Sequence, residues 1–72
     1  MMNARELIAE ITRRTVSGDD TTLLHNVDGW DSLKGVQLVL RIEQSIGRHL
    51  TENELERLQS IQDVDALLKI SP

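Results

Sequence analysis

The 72-residue chain contains no cysteine, no phenylalanine and no tyrosine; Trp30 is its only aromatic residue and Pro72 its only proline. Without cysteine there is no disulfide framework, no thiolate metal site and no cysteine nucleophile. Without aromatic bulk, a core has to be built from Leu, Ile and Val. No apolar run approaches the roughly 20 residues that span a bilayer. Met1–Glu6 lacks the basic segment and apolar stretch of a signal peptide. The expectation is a free-standing cytoplasmic protein with no membrane insertion. Basic residues are scarce too: 8 Lys and Arg oppose 12 Asp and Glu, for a net charge of −4. That balance argues against nucleic acid, whose binders neutralise phosphates with Lys and Arg. It suits a protein that meets basic partner surfaces and stays dissolved.

What is present is helical patterning. A chain of this length makes one domain, residues 1–72, and buries only about 60% of its unfolded surface. Four helical segments are read and no strand. Asn3 with Glu6 has capping-box spacing and opens a helix reaching Thr15 or Val16, with Leu7, Ile8 and Ile11 inward and Thr15 continuing that face. Ser17-Gly18-Asp19-Asp20 stops it. A long loop to Trp30 follows, whose Leu23, Leu24 and Val27 tuck under and cover the core. The second helix runs from Ser32 to Ile46 and is ended by Gly47. Thr51 with Glu54 opens a short third helix through Leu55 and Leu58. Ser60 with Asp63 weakly caps the last, which buries Ile61, Val64, Leu67 and Leu68 and comes before Pro72. Pattern alone reads as a small all-α bundle.

The second helix has two apolar sides. At about 100° per residue, Leu38, Val39, Ile42 and Ile46 form one stripe, with Gly35 beside them. That stripe is a core face. Gly35 costs roughly 1 kcal/mol of helix propensity relative to Ala, and close helix packing is the expected reason for it. Leu33, Val36 and Leu40 form a second stripe opposite. Either they pack under the long loop, or they stand exposed and dock onto partners. Lys34 and Arg41 share one flank, and the charges from Asp31 to Gln44 sum to zero.

The run Gly29-Trp30-Asp31-Ser32-Leu33 stands at the head of this helix. A serine there lies beside backbone N–H groups without intrahelical partners and in a positive local potential, a place suited to holding a phosphate. Asp-Ser-Leu in this setting resembles the attachment site of the acyl and peptidyl carrier proteins. The order of long helix, long loop, long helix, short helix and final helix resembles their four-helix bundle over essentially the whole chain. The resemblance implies that Ser32 carries 4′-phosphopantetheine, received from coenzyme A through a separate Mg²⁺-dependent phosphopantetheinyl transferase. It implies a monomeric carrier of thioester-bound intermediates that is not itself an enzyme. Its partners would be an acyl- or aminoacyl-loading enzyme and downstream synthases or transferases, which meet Trp30, Leu33, Lys34, Val36, Leu40 and Arg41. Asp31 either caps the helix or helps orient the serine, and both roles are compatible. Ser32 itself has an alternative reading as the cap. Carriers of fatty-acid synthesis show a strongly acidic second helix, recognised by basic enzyme patches. Lys34, Gln37 and Gln44 depart from that pattern and point to polyketide, nonribosomal peptide or D-alanyl transfer pathways.

Other residues carry plainer readings. Trp30 is either a contact hot spot or a cover over a loop edge. His25 near Ser32 and Asp31 does not make a hydrolytic triad, which needs geometry and an oxyanion hole. His25 and His49 are too far apart in sequence for a metal pair, and His49 belongs to the surface. Glu52, Glu54, Glu56 and Arg57 read as the solvated face of the third helix. The competing function is a non-enzymatic helical adaptor that binds a partner through the second helix, with Ser32 only a cap.

Overall fold

The computed structural model describes residues 3–70, and among these it is all-α, without strands. Pro72 lies outside the described residues. The first helix, α1, spans Ala4–Thr12. Asn3 caps it by accepting the Glu6 N–H at 2.9 Å, and Asp65 from the far end of the chain accepts the Ala4 N–H at 2.9 Å. The helix stops short of the expected Thr15 or Val16. Arg13 turns left-handed at φ 59°, and the Thr12 hydroxyl donates back to the Ile8 carbonyl at 2.9 Å. The reversal lets Val16 return against the core, a packing gain that outweighs another helical turn of polar residues. Thr12 is therefore the buried threonine, while Thr15 is exposed.

The loop that follows is ordered by pairing with a distant segment. It contains a 3₁₀ turn at Leu24–Asn26. The Leu24 N–H donates to the Gln59 carbonyl at 2.8 Å, and the carbonyls of Thr22 and Asp20 accept the N–H groups of Ile61 and Gln62 at 3.1 and 2.8 Å. The loop thus satisfies donors at the start of the last helix, which would otherwise lack partners. Leu24 and Val27 are buried as expected, but Leu23 stands 37% exposed, its backbone paired with Ser60 and its side chain on an open cleft.

The second helix, α2, spans Ser32–Ile46 and closes on Gly47 at φ 77°, whose N–H donates to the Glu43 carbonyl at 2.9 Å. The third, α3 (Glu52–Arg57), begins with a complete Thr51/Glu54 capping box and buries none of its residues; Leu58 is its cap rather than part of it. The last, α4 (Ile61–Leu68), also has both halves of its capping box, Ser60 with Asp63, a stronger start than spacing alone implied. Its Ile61, Val64 and Leu68 are buried while Leu67 is half-buried.

α1, α2 and α4 pack on one another around Leu7, Ile8, Leu38, Ile42, Ile46, Ile61 and Val64, and Leu24, Val27 and Leu50 close the ends. Ile8, Ile42, Ile61 and Val64 have no exposed surface. Among the described residues every buried side-chain polar atom has a hydrogen-bond partner, as a low-dielectric interior requires.

Candidate functional site

The approach to α2 is set by backbone geometry. Gly29 sits at φ 82°, a left-handed conformation, and a Cβ there would come within 2.9 Å of the Arg14 side chain. Trp30 is half-buried against the core, and its N–H donates to the Val27 carbonyl at 3.1 Å. Asp31 is the N-cap: it is extended at φ −149°, its carboxylate accepts the Lys34 N–H at 2.9 Å, and its carbonyl accepts the Gly35 N–H at 3.1 Å. Of the two capping readings, the structure gives the cap to Asp31 and leaves the Ser32 hydroxyl outside that role. Ser32 is exposed as the first residue of a 15-residue helix. The N–H groups of Ser32 and Leu33 precede the intrahelical ladder and share the positive end of the helix dipole. An anionic phosphodiester on this hydroxyl would have space around it and donors beneath it.

The exposed side of α2 settles the second apolar stripe. Leu33, Val36 and Leu40 are 59%, 57% and 53% exposed, so they do not pack under the loop. Of the sequence-expected contact residues, these three face solvent. Trp30, Lys34 and Arg41 are half-buried at the edges, and Arg41 pairs with Glu10 of α1 at 2.8 Å. Trp30 instead lines an open cleft of about 350 Å³ together with Leu23, Leu38, Val39, Leu55 and Leu58. That places it with the loop-edge reading. Gly35 also lines this cleft. A Cβ on it would meet nothing within 4 Å beyond its own helix backbone, so the expected close helix packing is absent. Val39 is half-buried beside it.

Two carboxylates, Glu43 and Glu54, hold the α2–α3 connection. Glu43 accepts the Leu50 N–H at 2.8 Å and lies 3.4 Å from His49 Nδ1. The Leu50 N–H, with help from His49, holds this carboxyl below the usual range. His49 itself is 95% exposed, as expected. Glu54, read as part of a solvated run, takes two 2.8 Å bonds from the Arg48 guanidinium and accepts the Thr51 N–H. Arg48 and the Thr51 N–H pull its carboxyl down to about 2. The Thr51/Glu54 spacing was a legible signal for half of this arrangement; nothing local announced Arg48. No group of three or more His, Asp or Glu suited to a metal occurs among the described residues.

The family model of the phosphopantetheine attachment site matches residues 4–68, from the first residue of α1 to the last of α4. No curated protein and no solved structure gives a match. Domains of this kind receive 4′-phosphopantetheine covalently and work with a phosphopantetheinyl transferase and partner enzymes. They hold substrates on the arm rather than catalysing reactions. That match takes in all four helices and nearly the whole chain, and the chain belongs to the phosphopantetheine-attachment family of carrier domains.

Proposed function

We propose that Ser32 is the attachment residue and that the protein carries acyl, aminoacyl or peptidyl intermediates as thioesters on the arm. The observation that carries this reading is the exposed Ser32 at the first position of α2, relieved of the capping role by Asp31. A serine hydroxyl is a weak nucleophile without a base, so the base, coenzyme A and Mg²⁺ come with the transferase. The Ser32 oxygen bonds to phosphorus, 3′,5′-ADP leaves, and the hydroxyl proton passes to the transferase. The Ser32 and Leu33 N–H groups then face the phosphodiester charge. Asp31 acts as a positioning residue: by fixing the first turn it fixes where Ser32 points.

Once modified, the protein works by tethering, which raises the effective concentration of cargo at each docked enzyme. We read it as a cytoplasmic monomer. The uncharged outer side of α2 supports service in polyketide, nonribosomal peptide or D-alanyl transfer chemistry over primary fatty-acid synthesis. The test is the intact mass after incubation with coenzyme A, Mg²⁺ and a broad-specificity phosphopantetheinyl transferase, beside a Ser32→Ala control. The expected result is a gain of one phosphopantetheine that the control lacks. No gain, under conditions that modify a known carrier, refutes the reading and leaves α2 as the binding surface of an adaptor.

A further inference from the structure

The long loop between α1 and α2 is anchored unevenly. Its first half is tied to the start of α4 by the backbone bonds that Leu24, Thr22 and Asp20 make with Gln59, Ile61 and Gln62. Arg5 adds a 2.7 Å bond to the Gly18 carbonyl and an ion pair with Asp20. The second half leads to Ser32, and its backbone bonds are local. Asn26, Val27 and Trp30 each donate to the carbonyl three residues back. Among the described residues, one side-chain bond reaches residues 25–30 from elsewhere in the chain, from Arg14 Nη1 to the Asp28 carboxylate at 3.2 Å. Val27 is buried and Trp30 half-buried, but Asp28 and Gly29 between them are exposed. The Trp30 to Val27 bond closes a turn with Gly29 in third place at φ 82°, the type II form that calls for glycine there. Arg13, left-handed at φ 59°, ends α1, and the next side chain lies over this turn. A Cβ on Gly29 would stand 2.9 Å from Arg14 Nε and 3.1 Å from its Cδ. Arg14 thus covers the Gly29 backbone with its stem and holds Asp28 with its head.

Resting on the carrier reading above, we propose that Arg14 is a positioning residue for modification at Ser32: its clasp on Asp28 and Gly29 seats the turn that leads into the serine. Trp30, Asp31 and Ser32 follow that turn directly. When it lifts, the extended Asp31 loses its fixed approach, and the first turn of α2 frays, since its leading N–H groups have no intrahelical partners. Arg14 acts through Asp28 and Gly29 and not on the reacting atoms. The pair is exposed, with 58% and 80% of its side-chain surfaces in water, so it shifts an equilibrium by at most about fivefold. Global stability, held by the core, changes little. Seating of the turn is a local equilibrium, and a transferase that binds only the seated form meets its substrate diluted by the lifted fraction. The effect therefore falls on KM and not on kcat.

The experiment follows transfer from coenzyme A, with Mg²⁺ and a broad-specificity phosphopantetheinyl transferase, onto the full chain and four variants. Arg14→Gln keeps much of the stem and removes the charge, Asp28→Ala removes the carboxylate, and the third variant combines the two. Arg14→Lys keeps a cation, which suffices because the pair is a single bond and not a fork. Urea denaturation checks that each variant is folded. The expected result is a KM raised about two- to fivefold in each single loss variant at unchanged kcat. The double variant is expected to show no further rise, because both changes remove one interaction, and Arg14→Lys to keep the wild-type KM. In the unmodified proteins, NMR is expected to find the Trp30 amide exchanging about three- to fivefold faster in the loss variants and unchanged in Arg14→Lys. An unmoved KM or an unmoved Trp30 exchange rate in the folded loss variants overturns the proposal. So do effects that multiply in the double variant or that fall on kcat. A wild type that takes no phosphopantetheine refutes the carrier reading and this one with it, an outcome distinct from modification that ignores Arg14.

Discussion

Ile42→Ala and Val36→Ala form a paired test of the two sides of α2. Both residues are β-branched, both sit inside the same 15-residue helix, and both replacements improve intrinsic helix propensity by about 0.5 kcal/mol. They differ in environment: Ile42 has no exposed surface and Val36 is 57% exposed. Truncating Ile42 removes buried methyl groups and leaves a void in the core it shares with Ile8, Leu38 and Val64, at a cost of about 2–5 kcal/mol. At about 0.05–0.15 kcal/mol per residue, a 72-residue chain holds about 4–11 kcal/mol in total. Ile42→Ala therefore removes a large share of the stability, and near the lower bound it unfolds the protein. Val36→Ala is expected within about 0.5 kcal/mol of wild type. Urea denaturation followed by far-UV circular dichroism measures both, with the slope of the transition checked for constancy. A loss above about 1.5 kcal/mol for Val36→Ala means the outer stripe is covered in solution. A loss below about 1 kcal/mol for Ile42→Ala means the inner stripe is not the core. Either result refutes the two-sided reading of α2.

Gly35→Ala is expected to stabilise the protein by about 0.5–1 kcal/mol, since helix propensity improves and the added Cβ meets nothing; a lower melting temperature would contradict this. Asp31→Ala is expected to cost about 1 kcal/mol in denaturation through loss of the cap, with Asp31→Asn retaining most of it. Modification at Ser32 should slow in Asp31→Ala and recover in Asp31→Asn if Asp31 acts by fixing the first turn; failure of Asn to rescue would assign the effect to charge. Glu54 has its carboxyl at about 2 in the fold against an ordinary 4.5. Its folded value is depressed, so its contribution is fully present above about 4.5 and is lost as pH falls toward 2. A Tm-against-pH series should show Glu54→Gln with a shallower decline than wild type in that window, and equal slopes would remove Glu54 from the acid limb.

Much of the fold was legible because helix signals are local. Asn3, Thr51 and Ser60 cap the helices at the positions their spacing indicated. The Leu38, Ile42, Ile46 stripe is buried because residues four apart share a face on any α-helix. What spacing overstated was α1, whose period runs on through Thr15 although the chain turns at Arg13. Periodicity reports which residues would share a face if the helix continued. It does not report whether a return of Val16 to the core is worth more. The same limit explains Gly35, which faces an open cleft between α2, the long loop and α3 rather than a packed neighbour. It also explains Glu54, whose partner Arg48 comes from the turn before α3.

The amino-acid sequence by itself determined the helical class, the four helices, the aliphatic core of α2 and the placing of Ser32 at a helix start. Each depends on capping chemistry and on a 3.6-residue repeat, both readable within a few positions. Tertiary structure alone decided that Leu33, Val36 and Leu40 stay in water and that Asp31 rather than Ser32 takes the cap. It also decided that the only acidic side chain within α2 is turned aside to hold Leu50. Exposure depends on what the rest of the chain covers, and a side chain's availability depends on the backbone path that brings a donor such as the Leu50 N–H to it; neither is fixed by the 3.6-residue repeat.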